Sequence, residues 1–434
     1  MTNKQKVIIL TGLPFRRQGN QSMLRFVNMF LDRGIGVIMF SAGADLNGEN
    51  SIVNSGFSLH KVYSLSISYS LFLNSKILNL VKKKSPTINC FSKISSEDII
   101  PPRGNYNLPN LLNKWFRYLL NIIDNIILFF YLLLSHKNTI KEIDAVIGYE
   151  VTYTLASRLL ARIFKKNYIN KFQGTVLKAT NRDISQAKKY FPGDYYGINK
   201  SNLCLMVNDG TDGEYYAGIR GCQNIFFEPH GVYNYKHGGG ESLLLKQLKK
   251  DKKFVIFNNA SGSTWKRTDR IIRGLSKLKP EILDKIVLLT TYYAENKEKL
   301  KDFVKLKGLV KNVIFLNKLT PVECNYIIQN SDVVVMTNDL SNLGNPILES
   351  IYYQTPIISV DDGSLDEFIQ NGINSFLIKL DKDFDVNMAL AIQRMYEDRA
   401  LYKKFKANLN FDKGVRELTI QQEREFKVIQ EFLK

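Results

Sequence analysis

Residues 338–350 read "NDLSNLGNPILES": a polar loop with one glycine, then a proline, then a carboxylate, Glu349, set among Ile347, Leu348 and Ile351. Pro346 suits the first turn of a helix, and Asn345 before it can cap. The helix then begins at the carboxyl end of the strand "DVVVMT", and its unpaired N–H groups form an anion site fit for a phosphate or diphosphate. Gly344 allows a ligand close to the backbone. A capping box is a poor reading of Glu349, because that arrangement puts a Ser or Thr cap three residues before the acid. Helical side chains lean toward the N-terminus, so this carboxylate points at the anion site. It would repel a bare phosphate, so its fitting partners are hydroxyls. A diphosphate flanked by hydroxyls describes a nucleotide-sugar.

The elements that must hold this loop follow from periodicity. The chain opens with a strand "KVIIL", a loop "TGLPFRRQGNQ", and a helix with Met23, Phe26, Val27, Phe30 and Leu31 on one face; "IGVIMFSAG" is the next strand. Continuous apolar strands joined by helices predict parallel sheets covered on both faces. The pattern resumes at "DAVIGY" and runs through "NIFFEPHG". A glycine-rich, basic stretch at 233–253 reads as a linker. A second series of strands, "FVIFNNA", "KIVLLTTY", "NVIFLN", "DVVVMT", "PIISVD" and "SFLI", follows. The expected fold is α/β, with two doubly wound Rossmann-like domains facing each other across a cleft. Their spans are 1–232 for the first, 254–410 for the second, and 411–434 for a C-terminal helix returning toward the first. In such sheets ligands bind beyond the carboxyl ends of the strands.

One segment departs from the pattern: "LLNKWFRYLLNIIDNIILFFYLLL" (111–134). As a helix it lines up Lys114, Arg117, Asn121 and Asp124 on one stripe and is apolar elsewhere. Its unbroken apolar run is too short to span a bilayer. Two readings stand: a helix buried in the first domain, or an interfacial helix with Trp115, Lys114 and Arg117 at headgroup level.

Composition bounds the function. With 434 residues, two domains are the prior, and a net charge of +19 suggests attraction to anions, either phosphate-bearing small molecules or an acidic membrane surface. The basic residues are spread over both halves rather than gathered in stripes with exposed aromatics, which argues against a nucleic-acid partner. Cys90, Cys204, Cys222 and Cys324 lack metal-ligand or scaffold spacing and read as reduced thiols in a cytoplasm. The opening apolar run is too short for a signal peptide. The four histidines show no metal pairing. "HGGG" (237–240) has no G-x-S-x-G elbow to serve, and no G-x-G-x-x-G or P-loop occurs, which argues against hydrolase, dinucleotide redox and P-loop chemistry. "DKD" (381–383) sits beyond the last strand and reads as solvated surface.

The segment "SNLGNPILES…TPIISVDDGSLDEFIQNGINSFLI" resembles the C-terminal signature of the retaining GT-B glycosyltransferases of family 4 (glycosyl transferases group 1). By that resemblance Glu349 holds the ribose of a nucleotide-sugar donor, and the loop Ser341, Asn342, Leu343, Gly344, Asn345 and Pro346 reaches the donor sugar. "STWKRTDRIIRGL" is similar to the family's W-K-G-x-D-x-x-I-x-A-L. Lys266 would then grip the donor diphosphate as a point charge. Gly19 and Asn20 match the glycine-rich loop of the first domain, near the scissile centre. Gln173 falls where the family has a histidine, Ser341 where it has a glutamate, and Ser261 where it has an arginine.

The resemblance implies a hexosyltransferase acting by front-face attack with retention. Its co-substrate is a nucleotide-diphosphate sugar, with no cofactor and no metal. Its acceptor is a hydroxyl of a glycan or lipid-linked acceptor in bacterial surface polysaccharide biosynthesis. The expected location is cytoplasmic, peripheral on the inner face of the cell membrane. The three departures motivate an alternative, a catalytically inactive GT-B homologue that chaperones or scaffolds a partner transferase. A nucleotide-sugar epimerase on the same fold is a third reading.

Overall fold

The computed structural model describes residues 5–13, 15, 21–42, 55–70, 108–235, 242–262, 264–292, 297–409 and 414–433. Gly19, Asn20 and the glycine run at 238–240 lie outside the described residues. The chain divides into two compact units. One ends at Glu228 and is rejoined by the C-terminal residues from Gln422; the other runs from Pro229 to Gln421.

The first unit is a seven-stranded sheet of β1 (Lys6–Thr11), β2 (Gly36–Ala42), β3 (Phe57–Val62), β4 (Ala145–Tyr149), β5 (Asn167–Phe172), β6 (Leu203–Val207) and β7 (Asn224–Glu228), in the order β3-β2-β1-β4-β5-β6-β7. Every pairing is parallel. β4 and β6 are buried along their whole length, as strands covered on both faces must be. The amphipathic helix Gln21–Leu31 buries Met23, Phe26, Val27, Phe30 and Leu31. Phe426, Ile429 and Leu433 of the returning C-terminal segment join that same cluster.

The second unit is a six-stranded parallel sheet of β8 (Phe254–Asn258), β9 (Ile286–Thr291), β10 (Val313–Leu316), β11 (Val333–Met336), β12 (Ile357–Val360) and β13 (Ser375–Ile378), in the order β10-β9-β8-β11-β12-β13. The order reverses between β8 and β11, and the two loops that leave these neighbouring strands open on the same crevice. Part of the segment read as a linker is structured. Leu243–Lys250 is a helix capped by Ser242, which accepts from the Leu245 N–H, and Leu245 and Leu248 are buried in the unit's core. The three-residue leucine spacing within the lysine-rich stretch carried that signal.

The apolar segment forms a long helix, Leu108–Ser135, which packs Leu128, Phe129 and Leu132 into the first unit's core and leaves another apolar stripe outside. The C-terminal part of its polar stripe, from Asn121 to Asn125, faces the protein. Asp124 is buried and accepts from the N–H groups of Leu65 and Ser66 (2.8 and 3.0 Å) and from the hydroxyls of Ser64 and Ser66. Asn121 and Asn125 both donate to the Thr152 carbonyl. Leu112, Phe116, Leu119, Ile123, Ile126, Phe130 and Leu134 are exposed, and only 28% of the apolar window is buried. The reading of this segment as a helix buried in the first domain holds for one face alone: Leu128, Phe129 and Leu132 are in the core, and much of the rest of the apolar window is exposed. Four partners for one carboxylate outweigh the burial of any single leucine, so the polar face goes inward.

Candidate functional site

Ile256 and Phe257 of β8 lie beside Val333 and Val334 of β11, so the loops 259–267 and 337–344 start next to each other. They are also bonded together. The Asp339 N–H donates to the Trp265 carbonyl (2.9 Å), and the Thr337 hydroxyl donates to the Arg267 carbonyl (2.8 Å). Lys266 is thus held between two anchored neighbours.

Beneath these loops lies a charge network. Arg267 makes a two-point contact with Asp269 and also reaches Asp339 at 3.2 Å. Arg270 is completely buried; it donates to the Thr337 carbonyl (2.5 Å) and to Asp339 (2.6 Å). Arg273 joins Asp269 to Asp385. Sequence reasoning missed this network. Arg270 and Arg273 lie on the helix Thr268–Leu275, every residue of which is buried. The available signal was Arg267 itself: it occupies the position of a glycine in the W-K-G motif and takes the left-handed backbone a glycine would, at φ +51°.

Burial pulls the Lys266 ammonium down to about 8, and no carboxylate among the described residues opposes that shift. Its nitrogen lies 4.0 Å from the centre of the Trp265 ring. A desolvated cation that no described carboxylate opposes is suited to an anion.

The helix after β11 is Asn345–Tyr352, with Pro346 in its first turn. Its cap is Gly344 rather than Asn345, and no side chain caps it: Gly344 has the extended backbone of a cap, and Asn345 is already helical. The Gly344 carbonyl accepts from the N–H groups of Ile347 and Leu348. Those of Leu343 and Asn345 have no carbonyl partner among the described residues, and Pro346 has none to give.

The side chains of the loop are divided by role. Ser341 has a left-handed backbone (φ +51°). Asn342 is wholly buried: its side chain accepts from the Asn338 N–H and donates to Asp362, and its own N–H donates to the Ser364 hydroxyl. Leu343 packs into the core. What this loop presents outward is therefore mainly backbone. Glu349 is half-buried and sits toward Cys324 and Tyr353; burial first, and the charge of Glu349 further down, raise both of those groups. Asn259, just after β8, donates to the Cys324 sulfur at 3.0 Å, so Glu349 lies on the side of its helix turned to the β8 loop.

In the first unit, the Gln173 side chain donates to the Tyr149 hydroxyl (2.6 Å), and its N–H donates to Glu150 (2.8 Å). Burial pushes the Glu150 carboxyl up to about 7 and does the same to Asp209. Gly174 has φ +126°, and a side chain there would run into the Asp209 carboxylate, so glycine is required. These groups cluster at the carboxyl ends of β4, β5 and β6, with Gln173 in the middle. Among the described residues no group of three metal-ligating side chains forms. Asp381 and Asp383 instead close a turn at the start of the helix Phe384–Glu397.

Two parallel doubly wound units, the second with a phosphate-suited loop, are the GT-B type of fold. Residues 242–410 match the sequence model of the family described as glycosyl transferases group 1. The chain is 22% identical over 342 residues to the "Uncharacterized glycosyltransferase MJ1069" of Methanocaldococcus jannaschii, covering 74% of this chain and 80% of that one. The fold is similar to that of Anabaena Alr3699/HepE solved with UDP, with a TM-score of 0.64 at 13% identity, covering 98% and 100% of the two chains. It is also similar to WaaG, a glycosyltransferase involved in lipopolysaccharide biosynthesis, with a TM-score of 0.60 at 13% identity over 98% and 99%.

Proposed function

We propose that the chain transfers a hexose, or a derivative of one, from a nucleotide-diphosphate sugar to a hydroxyl of a glycan or lipid-linked acceptor, with retention and without a metal. The observation that carries this reading is Lys266, a desolvated ammonium that no carboxylate among the described residues opposes, on a loop bonded to the one that carries the Leu343 and Asn345 amides. As the sugar–phosphate bond breaks, negative charge grows on the departing diphosphate. Lys266, the two amides and the positive end of the helix Asn345–Tyr352 meet that charge without reorganising. Glu349 accepts the ribose hydroxyls. HepE has been solved with UDP-glucose as well as with UDP, which supports a donor of this chemical class.

Peripheral attachment at the cytoplasmic face of the membrane belongs to the same reading, in the assembly of a surface polysaccharide. Its support is the outward apolar stripe on Leu108–Ser135 in a chain of net charge +19. The spacing of the stripe also suits a helix of a second copy, but the positions flanking it carry Ile122, Ile127 and Tyr131 rather than the charges a coiled coil uses.

The test is a panel of UDP-, GDP- and ADP-sugars. Slow donor hydrolysis lost in both Lys266→Ala and Glu349→Ala supports the enzyme, and the anomeric configuration of the released sugar tests retention. Failure to bind any nucleotide overturns the transferase and leaves the scaffold role suggested by Ser341, Ser261 and Gln173. Interconversion of the donor sugar with no acceptor present would mark an epimerase.

A further inference from the structure

Trp265 stands where a core residue would not. Its side chain is 47% exposed, and it belongs to neither apolar cluster of the second unit. A tryptophan ordinarily stabilises a fold by burying a large apolar surface, and this one keeps about half of its own in water. Its backbone is nevertheless fixed. Thr264–Lys266 is a short 3-10 turn, the Trp265 carbonyl accepts from the Asp339 N–H, and Arg267 turns the chain at φ +51°. The ring therefore has a set place beside the lysine that follows it.

What the ring meets is the Lys266 ammonium, 4.0 Å from its centre. A lysine stem is long and flexible and gives up much rotamer freedom when it is held, so it stays in one place only if something holds it. Asp339 and Asp269, the carboxylates bound under these loops, are committed elsewhere. Asp339 is shared by Arg267 and Arg270, and Asp269 by Arg267 and Arg273. Among the described residues no carboxylate acts on the ammonium.

A carboxylate and an indole would hold this cation with different consequences. A carboxylate binds it strongly, but an arriving diphosphate would have to displace that group against its negative charge. The face of an indole attracts a cation through its quadrupole and carries no net charge. It holds the ammonium without competing with an anion.

We propose that Trp265 is a positioning residue for the diphosphate: its indole face holds the Lys266 ammonium at the loop in the free protein and presents it to the incoming anion. This rests on the transferase reading, and it adds a residue that acts through Lys266 rather than on the donor.

The first experiment needs no nucleotide. The chain has two tryptophans, so Trp115→Phe leaves Trp265 as the reporter. A charge on the ring face shifts indole emission. Titrated from about pH 6 to about pH 10, the emission should change as the ammonium over the ring titrates near 8, and adding Lys266→Met should abolish the change. A profile that Lys266→Met leaves unaltered overturns the proposal. This arm retains Trp265, so it decides the matter even where a Trp265 variant fails to fold.

The second is calorimetric titration of the full chain with UDP. At pH 7, Trp265→Leu should weaken binding about threefold or more, and Trp265→Phe by less, because phenylalanine keeps a ring face. In Trp265→Leu the pH at which binding falls away should also rise, because an ammonium released from the ring returns to solvent. A ring that only shapes the loop would lower affinity by one factor at every pH and leave that midpoint in place. That result overturns the proposal, as does wild-type affinity in Trp265→Leu. A chain that ignores UDP yet shows the Lys266-dependent emission change keeps the indole contact and loses the transferase.

Discussion

Arg270 and Asp339 meet at 2.6 Å beneath the loop that carries Ser341 and Gly344, and the arginine is wholly enclosed. The other arm of the guanidinium holds the Thr337 carbonyl, so one side chain fixes the loop by both charge and backbone. Removing one partner of such a pair leaves a buried charge uncompensated, at a cost of about 3–5 kcal/mol. Asp339→Ala should therefore lower the unfolding free energy measured in urea by that amount and weaken UDP binding, because the loop loses its anchor. A loss under about 1 kcal/mol would show that the network does not hold the loop.

Lys266 predicts a pH dependence. Its ammonium titrates at about 8 in the free protein. A diphosphate binds the protonated form and raises that value, so affinity is full below 8 and falls as pH rises through it. Between pH 7 and pH 9, UDP binding should weaken by up to about tenfold. Lys266→Arg stays charged across this range, so its binding should be flat with pH. A wild-type profile that is equally flat would remove Lys266 from the diphosphate.

Glu150 predicts a stability effect of known sign. Its carboxyl is raised to about 7 by burial, so the folded state disfavours its charge. The penalty is absent below the ordinary carboxylate value, develops as pH rises from there, and is complete above about 7. Glu150→Gln keeps an acceptor for the Gln173 N–H. It should be the more stable protein at pH 8, by on the order of 2 kcal/mol, with the difference vanishing near pH 4. Thermal unfolding at the two pH values checks this.

Gly262 should tolerate no side chain. Its φ is +78°, and a Cβ would lie 2.5 Å from the Tyr292 ring, which is itself buried. Gly262→Ala should cost more than about 1 kcal/mol from backbone strain alone, and it should displace the β8 loop enough to weaken donor binding. Donor affinity and unfolding midpoint measured together test it; a neutral substitution would mean the loop has slack.

The outward stripe predicts a variant whose stability is unchanged. Ile123→Ser with Ile126→Ser alters side chains that are each 44% exposed, so stability should move by only about 0.5 kcal/mol per site. Binding to phosphatidylglycerol vesicles should fall several-fold. If the variant instead changes from dimer to monomer in light scattering, the stripe pairs two copies and the membrane reading fails.

The amino-acid sequence by itself determined the two parallel sheets, because runs such as "KIVLLTT" and "DVVVMT" can be satisfied only by strands covered on both faces. It also determined the loop at Gly344 and Pro346, because proline and glycine constrain the backbone wherever they stand. The tertiary structure decided the rest. Asn342 reads as a polar ligand group and is a buried brace; Arg270, which no motif singles out, is buried beneath the loop. The long helix turns its carboxylate inward and leaves a stripe from Leu112 to Leu134 exposed. In each case local pattern reports what a residue is, while burial depends on which partners distant segments bring to it. Asp124 goes inside because Ser64, Leu65 and Ser66 are there to meet it, and those residues are about sixty positions away.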